Sequence, residues 1–158
     1  MLTTIGQIAA AVAILANAVV YGTDACAALI MRSSYRKLDD AALTTVAGWG
    51  HYYGDRRMPP FGIGGVVGTL ATLVLAAAAG HAGAAIGAGI ALVALLSWLA
   101  FYARVAKPIN TAQKEAARTG IIPPNARALQ DKWDSILGFR VGLQAVALAG
   151  LCAALALL

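Results

Sequence analysis

Four long apolar stretches constrain this sequence more than any other feature. They cover roughly residues 5–31, 61–79, 84–103 and 133–158. A helix needs about 20 mainly apolar residues to cross a bilayer, and each stretch approaches or exceeds that length. Only 12% of the residues are charged, where a soluble domain carries about a quarter. The sequence therefore predicts an all-α fold, an integral membrane four-helix bundle in which residues 1–158 form a single transmembrane domain.

A soluble helical bundle is the alternative to this fold. The last 18 residues disfavour it, because they contain no charge and only one polar side chain, Gln144. An apolar stretch of this length and composition is typical of a membrane span.

The placement of the cations predicts the topology. Eleven of the twelve Lys and Arg residues fall in the two longer connecting segments: Arg32, Arg36, Lys37, Arg56 and Arg57 in the first, and Arg104, Lys107, Lys114, Arg118, Arg127 and Lys132 in the second. Basic loops stay on the cytoplasmic side. We therefore expect a multi-pass protein of the plasma membrane with both basic segments inside and both termini outside.

Each cytoplasmic segment is expected to contain a short interfacial helix. Asp39 or Asp40 can cap the first, which carries Trp49 and Tyr53 as aromatic anchors. In the second, Asn110 and Gln113 have the spacing of a capping box, and Gly120 ends the helix.

The net charge of +5 belongs to these loops. It does not indicate nucleic-acid binding, because no aromatic residues alternate with the basic ones in a binding pattern. The bilayer is the expected partner, together with a lipophilic small molecule. The sequence leaves open whether the chain forms a homo-oligomer.

Polar side chains recur along one predicted face of the first helix: Gln7, Asn17, Tyr21 and Asp24. Asp24 lies about 10 Å from the cytoplasmic end of this helix, and Arg140 lies about 10 Å into the fourth, at 1.5 Å per residue. An isolated charge in a membrane costs roughly 2.5–3.5 kcal/mol or more. We therefore expect Asp24 and Arg140 to form an ion pair.

Two interpretations of this pair stand side by side. It can simply fix which helices face each other. It can also belong to a polar intramembrane pocket, because Tyr102 and Gln144 are predicted at neighbouring depths and ionisable residues within membranes are often functional.

His51 is the histidine expected near this pocket, whereas His81 lies in the outer turn. His51 can serve as a general base, as a haem ligand or as a copper ligand. It can also be an interfacial side chain beside Trp49. No second His or Cys has ligand spacing, so a metal site built by the protein alone is not predicted.

Four motifs resemble a family of small four-helix membrane proteins, formerly a domain of unknown function, that includes the anthrone oxygenases. The motifs are YGTD in the first helix, GHYYGDRRMPP before the second, KPIN after the third and KWDSILGFR at the start of the fourth. Many members have a His four residues after the Trp that corresponds to Trp133. This chain has Leu137 there, and His51 is the candidate for the missing role.

The resemblance implies oxidation of a lipophilic substrate, of polyketide or aromatic type, by dioxygen without a conventional cofactor. Such chemistry needs a base and donors for a developing oxyanion. The candidate catalytic residues are His51, Asp24, Arg140, Tyr21 and Asn17. The candidate substrate-binding residues are Trp49, Tyr102, Asn110, Trp133 and Gln144. His51 is the preferred base, because an Asp paired with Arg is a weak one.

Two other function classes remain open. One is a haem-binding or metal-binding membrane protein with His51 as a ligand. The other is a non-enzymatic membrane subunit in which the pair between Asp24 and Arg140 sets the helix packing.

Overall fold

The structure is a computed structural model that describes all 158 residues. The chain forms five continuous helices and no strands: α1 (Leu2–Tyr35), α2 (Asp40–Arg57), α3 (Pro59–Ala78), α4 (Ala82–Thr119) and α5 (Ala126–Leu157). All except α2 are long and apolar enough to cross a membrane. The predicted all-α fold with four long apolar helices is thereby confirmed.

The four long helices form a closed ring. Helix α1 packs against α3 and α5, and α4 packs against the same two helices from the other side. Helix α2 stands apart from this ring and lies along the last part of α4, residues 107–119. The ring therefore has a free end and an end that carries α2.

The two chain termini lie together at the free end. A Cβ atom added at Gly6 would lie 3.4 Å from the Leu158 side chain, and Thr3 Oγ1 lies 3.2 Å from His81 Nε2. The turn between α3 and α4 is therefore at the same end as both termini. The two longer connecting segments lie at the opposite end, as the charge pattern requires.

Small residues allow the long helices to approach closely. The core consists largely of alanines, including Ala13, Ala91 and Ala147. At the contact between α4 and α5, a Cβ atom added at Gly87 would lie 2.8 Å from the Gly150 carbonyl oxygen. Small residues at such contacts let two backbones meet without intervening side chains.

The predicted helix boundaries are too narrow at the end that carries α2. Helix α1 extends to Tyr35 instead of 31, α3 begins at Pro59 instead of 61, and α5 begins at Ala126 instead of 133. The apolar pattern marks only the part of each helix that suits hydrocarbon, while the helices themselves continue into polar surroundings. Helix α2 starts as predicted, because Asp39 caps it by accepting a 2.7 Å hydrogen bond from the Ala42 backbone N–H.

The prediction of a separate helix that begins at residue 110 was wrong. Helix α4 continues through this region and stops at Gly120, whose φ of 69° is the left-handed conformation that ends many helices. Pro108 is accommodated because residues Tyr102–Ala106 form a π-helical segment, which widens the turn where the proline ring would otherwise clash. Asn110 and Gln113 are therefore buried mid-helix side chains and do not cap a helix.

Candidate functional site

A cavity of about 890 Å³ lies at the end of the ring that carries α2. It is enclosed by α1, α2 and α3 on one side and by α4 and α5 on the other. Its walls are mainly apolar, and its polar residues form two connected groups. Cavities of roughly 300–1,000 Å³ with few polar side chains are typical of small-molecule sites.

The first group is built around the predicted ion pair between α1 and α5. Arg140 Nη2 donates a 2.7 Å hydrogen bond to Asp24 Oδ1, and both residues are buried, with 6% and 3% of their surface exposed. Trp98 of α4 donates from its indole N–H to Asp24 Oδ2 at 3.1 Å. Both oxygens of the Asp24 carboxylate therefore have a partner, which a buried charge requires.

Two indole rings flank the Arg140 guanidinium. Its central carbon lies 5.3 Å from the ring centre of Trp98 and 5.6 Å from that of Trp133. Both distances allow a cation–π interaction. The pair with Asp24 and the two indoles together hold the cation in a fixed position at the cavity wall.

The second group is centred on Asp55 of α2. Tyr102 donates its hydroxyl hydrogen to Asp55 Oδ1 at 2.8 Å, Asn110 donates to the same oxygen at 3.2 Å, and Lys114 Nζ lies 2.5 Å from Oδ2. Burial raises the pKa of Asp55, but the three hydrogen bonds outweigh it and leave this pKa below its ordinary value. Asp55 is therefore a stable carboxylate that attaches α2 to α4.

Aromatic side chains connect the two groups. Trp133 donates from its indole N–H to Asn110 Oδ1 at 3.1 Å. The rings of Trp98 and Tyr102 are stacked, with their centres 5.8 Å apart and their planes 8° from parallel. The two polar groups therefore belong to one continuous polar and aromatic network at the cavity.

His51 lies beside this network. Its ring centre is 5.2 Å from that of Trp133, the indole that also faces Arg140. Burial lowers the pKa of His51 to about 4, and the charges of Arg140 and Lys114 act in the same direction against the opposing effects of Asp55 and Gln113. The imidazole is therefore neutral near pH 7 and can accept a hydrogen bond, while the lowered pKa makes it a weaker base than an ordinary histidine.

Three residues that line the cavity each have a buried polar atom without a hydrogen-bond partner: Asn17 Nδ2, Arg140 Nε and Gln144 Oε1. Asn17 and Gln144 are each 1% exposed. An unpaired buried polar group costs about 1–3 kcal/mol. Two donors and one acceptor are thus left unpaired in residues that line a cavity large enough for a ligand.

Eight of the ten candidate residues line the cavity: Asn17, Asp24, His51, Tyr102, Asn110, Trp133, Arg140 and Gln144. Tyr21 and Trp49 do not line it. Trp49 is 39% exposed and makes an edge-to-face contact with Tyr52. On α1 the buried positions are those of Asn17, Val20 and Asp24, so Tyr21 sits at the margin of that face and Gln7 is exposed.

The sequence analysis missed three residues of the site: Asp55, Trp98 and Lys114. Asp55 follows His51 by four residues, so the two share one face of α2. Trp98 precedes the predicted site residue Tyr102 by the same interval. Helical spacing from residues already identified was the signal that pointed to both.

The described side chains contain no group of three or more His, Cys, Asp or Glu residues placed to hold a metal ion. His81 lies at the opposite end of the ring, beside Thr3.

The fold and the site together define an all-helical protein whose four apolar helices enclose, at one end, a mainly apolar cavity with a network of polar residues. Comparisons of the chain with protein-family models, with curated proteins and with solved structures give no match. The resemblance to the anthrone oxygenase family therefore stays a prediction from the sequence motifs.

Proposed function

We propose that this protein lies in the plasma membrane, binds a lipophilic small molecule in the cavity and oxidises it with dioxygen. One observation carries the binding part of the proposal. Asn17 Nδ2, Arg140 Nε and Gln144 Oε1 are buried, unpartnered atoms of three residues that line one mainly apolar cavity. A ligand with an apolar body and a polar end would satisfy all three atoms.

The membrane orientation follows from the charges. The end of the ring that carries α2 holds the basic connecting segments, so it faces the cytoplasm in this proposal. Trp49 and Tyr53 are 39% and 48% exposed on α2, which suits aromatic anchors at the inner interface. The cavity then lies at the level of the inner leaflet.

The free polar atoms specify the ligand's polar end. Asn17 Nδ2 and Arg140 Nε both donate, so they suit a carbonyl oxygen or an oxyanion. Gln144 Oε1 accepts, so it suits a hydroxyl group. A phenolic or enolisable aromatic ketone offers both kinds of group on a lipophilic body.

The residues at the cavity support a base-initiated oxidation. Neutral His51 removes a proton from a methylene group that is conjugated with the ligand carbonyl, directly or through an aromatic ring, and Arg140 stabilises the resulting enolate. The enolate gives one electron to dioxygen, and the two radicals combine to a peroxide. Loss of water then leaves a ketone. The methylene carbon loses two C–H bonds and gains one oxygen atom, while the second oxygen atom and both hydrogens leave as water.

Asp24 does not act as the base in this scheme. Its two oxygens are occupied by Arg140 and Trp98. Its part is to hold the Arg140 guanidinium, which leaves the Nε–H free for the ligand. Tyr102 also keeps its hydroxyl hydrogen on Asp55.

Oxygen uptake tests the proposal. The protein in lipid nanodiscs receives anthrone, and an oxygen electrode and product chromatography monitor its conversion. We expect His51→Ala to abolish catalysed uptake, with His81→Ala as the matched control that retains it. Equal uptake by both variants and the parent would exclude His51 as the base. No uptake with anthrone or with other phenolic ketones that bind would contradict the oxygenase proposal, and a Soret band in the purified protein would favour the haem-binding alternative.

A further inference from the structure

Most of the exposed residues that line the cavity lie on α1, α2 and α3, and this exposed side is its mouth. Nearer the free end, α1 and α3 are in close contact, because a Cβ atom added at Gly68 would lie 3.0 Å from Ala13 Cβ. A Cβ atom added at Gly65 would lie 2.6 Å from Asn17 Oδ1. One added at Gly62, nearer to α2, would meet nothing within 4 Å, so the close contact does not extend to this position.

Four glycines mark this opening: Gly22, Gly50, Gly54 and Gly62. They are all the glycines that line the cavity, and a Cβ atom added at any of them would meet nothing within 4 Å. Glycines elsewhere on the same helices, such as Gly48 and Gly65, are tightly packed instead. On α1, α2 and α3 no other glycine has such open space, so on these three helices it coincides with the cavity.

The outer border of the mouth is apolar. Val19 of α1 and Ile63 and Val67 of α3 line the cavity and are 39%, 64% and 59% exposed. All three lie within helices long and apolar enough to cross a membrane. In a bilayer this border would face acyl chains rather than water.

A π-helical segment at Ala27–Met31 of α1 adjoins the mouth. Ala27 and Met31 both line the cavity. A π segment inserts an extra residue into a helix and changes the direction of the next turns, and such segments are frequent at functional sites. Here the segment forms part of the cavity wall on α1.

We propose that this mouth is a lateral portal through which a single-chain or planar lipophilic molecule enters the cavity from the inner leaflet, polar end first. The polar end reaches Asn17, Arg140 and Gln144, while the apolar body lies between Gly22 and Gly62. The inference rests on the binding part of the proposed function, and it adds the route and the shape of the ligand.

Tryptophan quenching by a brominated chain tests the portal without any catalysis. A Trp49→Phe background leaves only Trp98 and Trp133, which both line the cavity. The protein in nanodiscs receives 9,10-dibromostearate, whose carboxylate suits the free donors. A phospholipid brominated in its chains measures the quenching that arises from the surrounding bilayer alone.

The variants Gly22→Phe and Gly62→Phe narrow the mouth from opposite sides. The matched control is Gly142→Phe, at an exposed glycine of α5 that has open space and does not line the cavity. We expect dibromostearate to quench the parent and the control beyond the phospholipid level, and to quench both mouth variants several-fold less. Gly62→Phe provides an independent reading if Gly22→Phe does not fold.

Quenching of both mouth variants at the parent level would overturn the portal. Quenching of the parent no stronger than by the brominated phospholipid would overturn it as well. These outcomes are separate from catalysis. If dibromostearate enters but no ketone is oxidised, the portal proposal stands and the oxygenase proposal fails. If anthrone is oxidised but the mouth variants are quenched as strongly as the parent, the oxygenase proposal stands and the portal proposal fails.

Discussion

Arg140 and Asp24 are 116 residues apart in the sequence and meet in a buried 2.7 Å hydrogen bond between α5 and α1. The contact fixes the register of these two helices. It also orients Arg140, a residue that lines the cavity, so that Nη2 is used for the pair while Nε has no partner. A single interaction therefore serves both the fold and the proposed site.

Removal of one partner of this pair should be strongly destabilising, because the other is left buried and uncompensated. We expect Asp24→Asn or Arg140→Gln to cost roughly 3–5 kcal/mol and the double variant to be milder than either single change. Thermal melting in detergent measures this cycle. The exposed pair of Glu115 and Arg118 is the control, and its removal should leave the melting temperature nearly unchanged. Additive losses at Asp24 and Arg140 would show that they do not interact.

The contact between α2 and α4 depends on Gly48. A Cβ atom added there would overlap Ala117 Cβ and the Gln113 carbonyl oxygen. We expect Gly48→Ala to destabilise the protein by about 1–3 kcal/mol through overpacking. Gly142→Ala, at an open position on α5, should have no such effect. Equal melting temperatures for the two variants would mean that α2 does not pack closely on α4.

The pKa of His51 gives the protein a specific response to acid. This pKa is about 4 in the folded state, against 6.5 for an ordinary histidine. As the pH falls from 6.5 to 4, the unfolded chain takes up the proton first, so the folded state loses stability, by at most roughly 3 kcal/mol. His51→Gln should remove this part of the loss. Parallel curves of stability against pH for the parent and the variant would contradict the lowered pKa.

The proposed orientation is accessible to cysteine labelling. In a background of Cys26→Ala and Cys152→Ala, Thr4→Cys and Thr119→Cys place a thiol at exposed positions at opposite ends of the ring. We expect an impermeant maleimide to label Thr4→Cys in intact cells and Thr119→Cys only after permeabilisation. The opposite pattern would reverse the topology.

The sequence was sufficient to predict the helical class, the four long helices and the contact between Asp24 and Arg140. Apolar length decides the first two, and the high cost of an unpaired charge in a membrane decides the third. It was insufficient for the continuity of α4, because a π-helical segment absorbs Pro108 without breaking the helix. The capping signal of Asn110 and Gln113 was therefore misleading.

The candidate site was predictable where a residue is polar and lies in an apolar helix, as for Asn17 and Gln144. It was less predictable at the margin of a helical face, where one step of 100° separates buried Val20 from half-buried Tyr21. Asp55 and Lys114 lie where charged residues are common. Only their contact across α2 and α4 distinguishes them from ordinary surface charges.

Asn17 should contribute to binding at the expense of stability. Its Nδ2 has no partner, so Asn17→Leu removes an unsatisfied buried donor while retaining similar volume. We expect the ligand-free variant to melt at the parent temperature or above it. Added dibromostearate should raise the melting temperature of the parent and not that of the variant. A clear loss of stability in the ligand-free variant would show that Asn17 is a structural side chain.

The most direct measurement of the central claim is mass spectrometry of small molecules extracted from the purified protein. We expect the parent to retain a lipophilic compound with a carbonyl, phenol or carboxylate group, close to one per chain. Asn17→Leu combined with Gln144→Leu should lose it, while Gln7→Leu, an exposed position on α1, should retain it. A parent that carries only bulk phospholipid, or a double variant that retains the compound, would contradict a ligand site in this cavity.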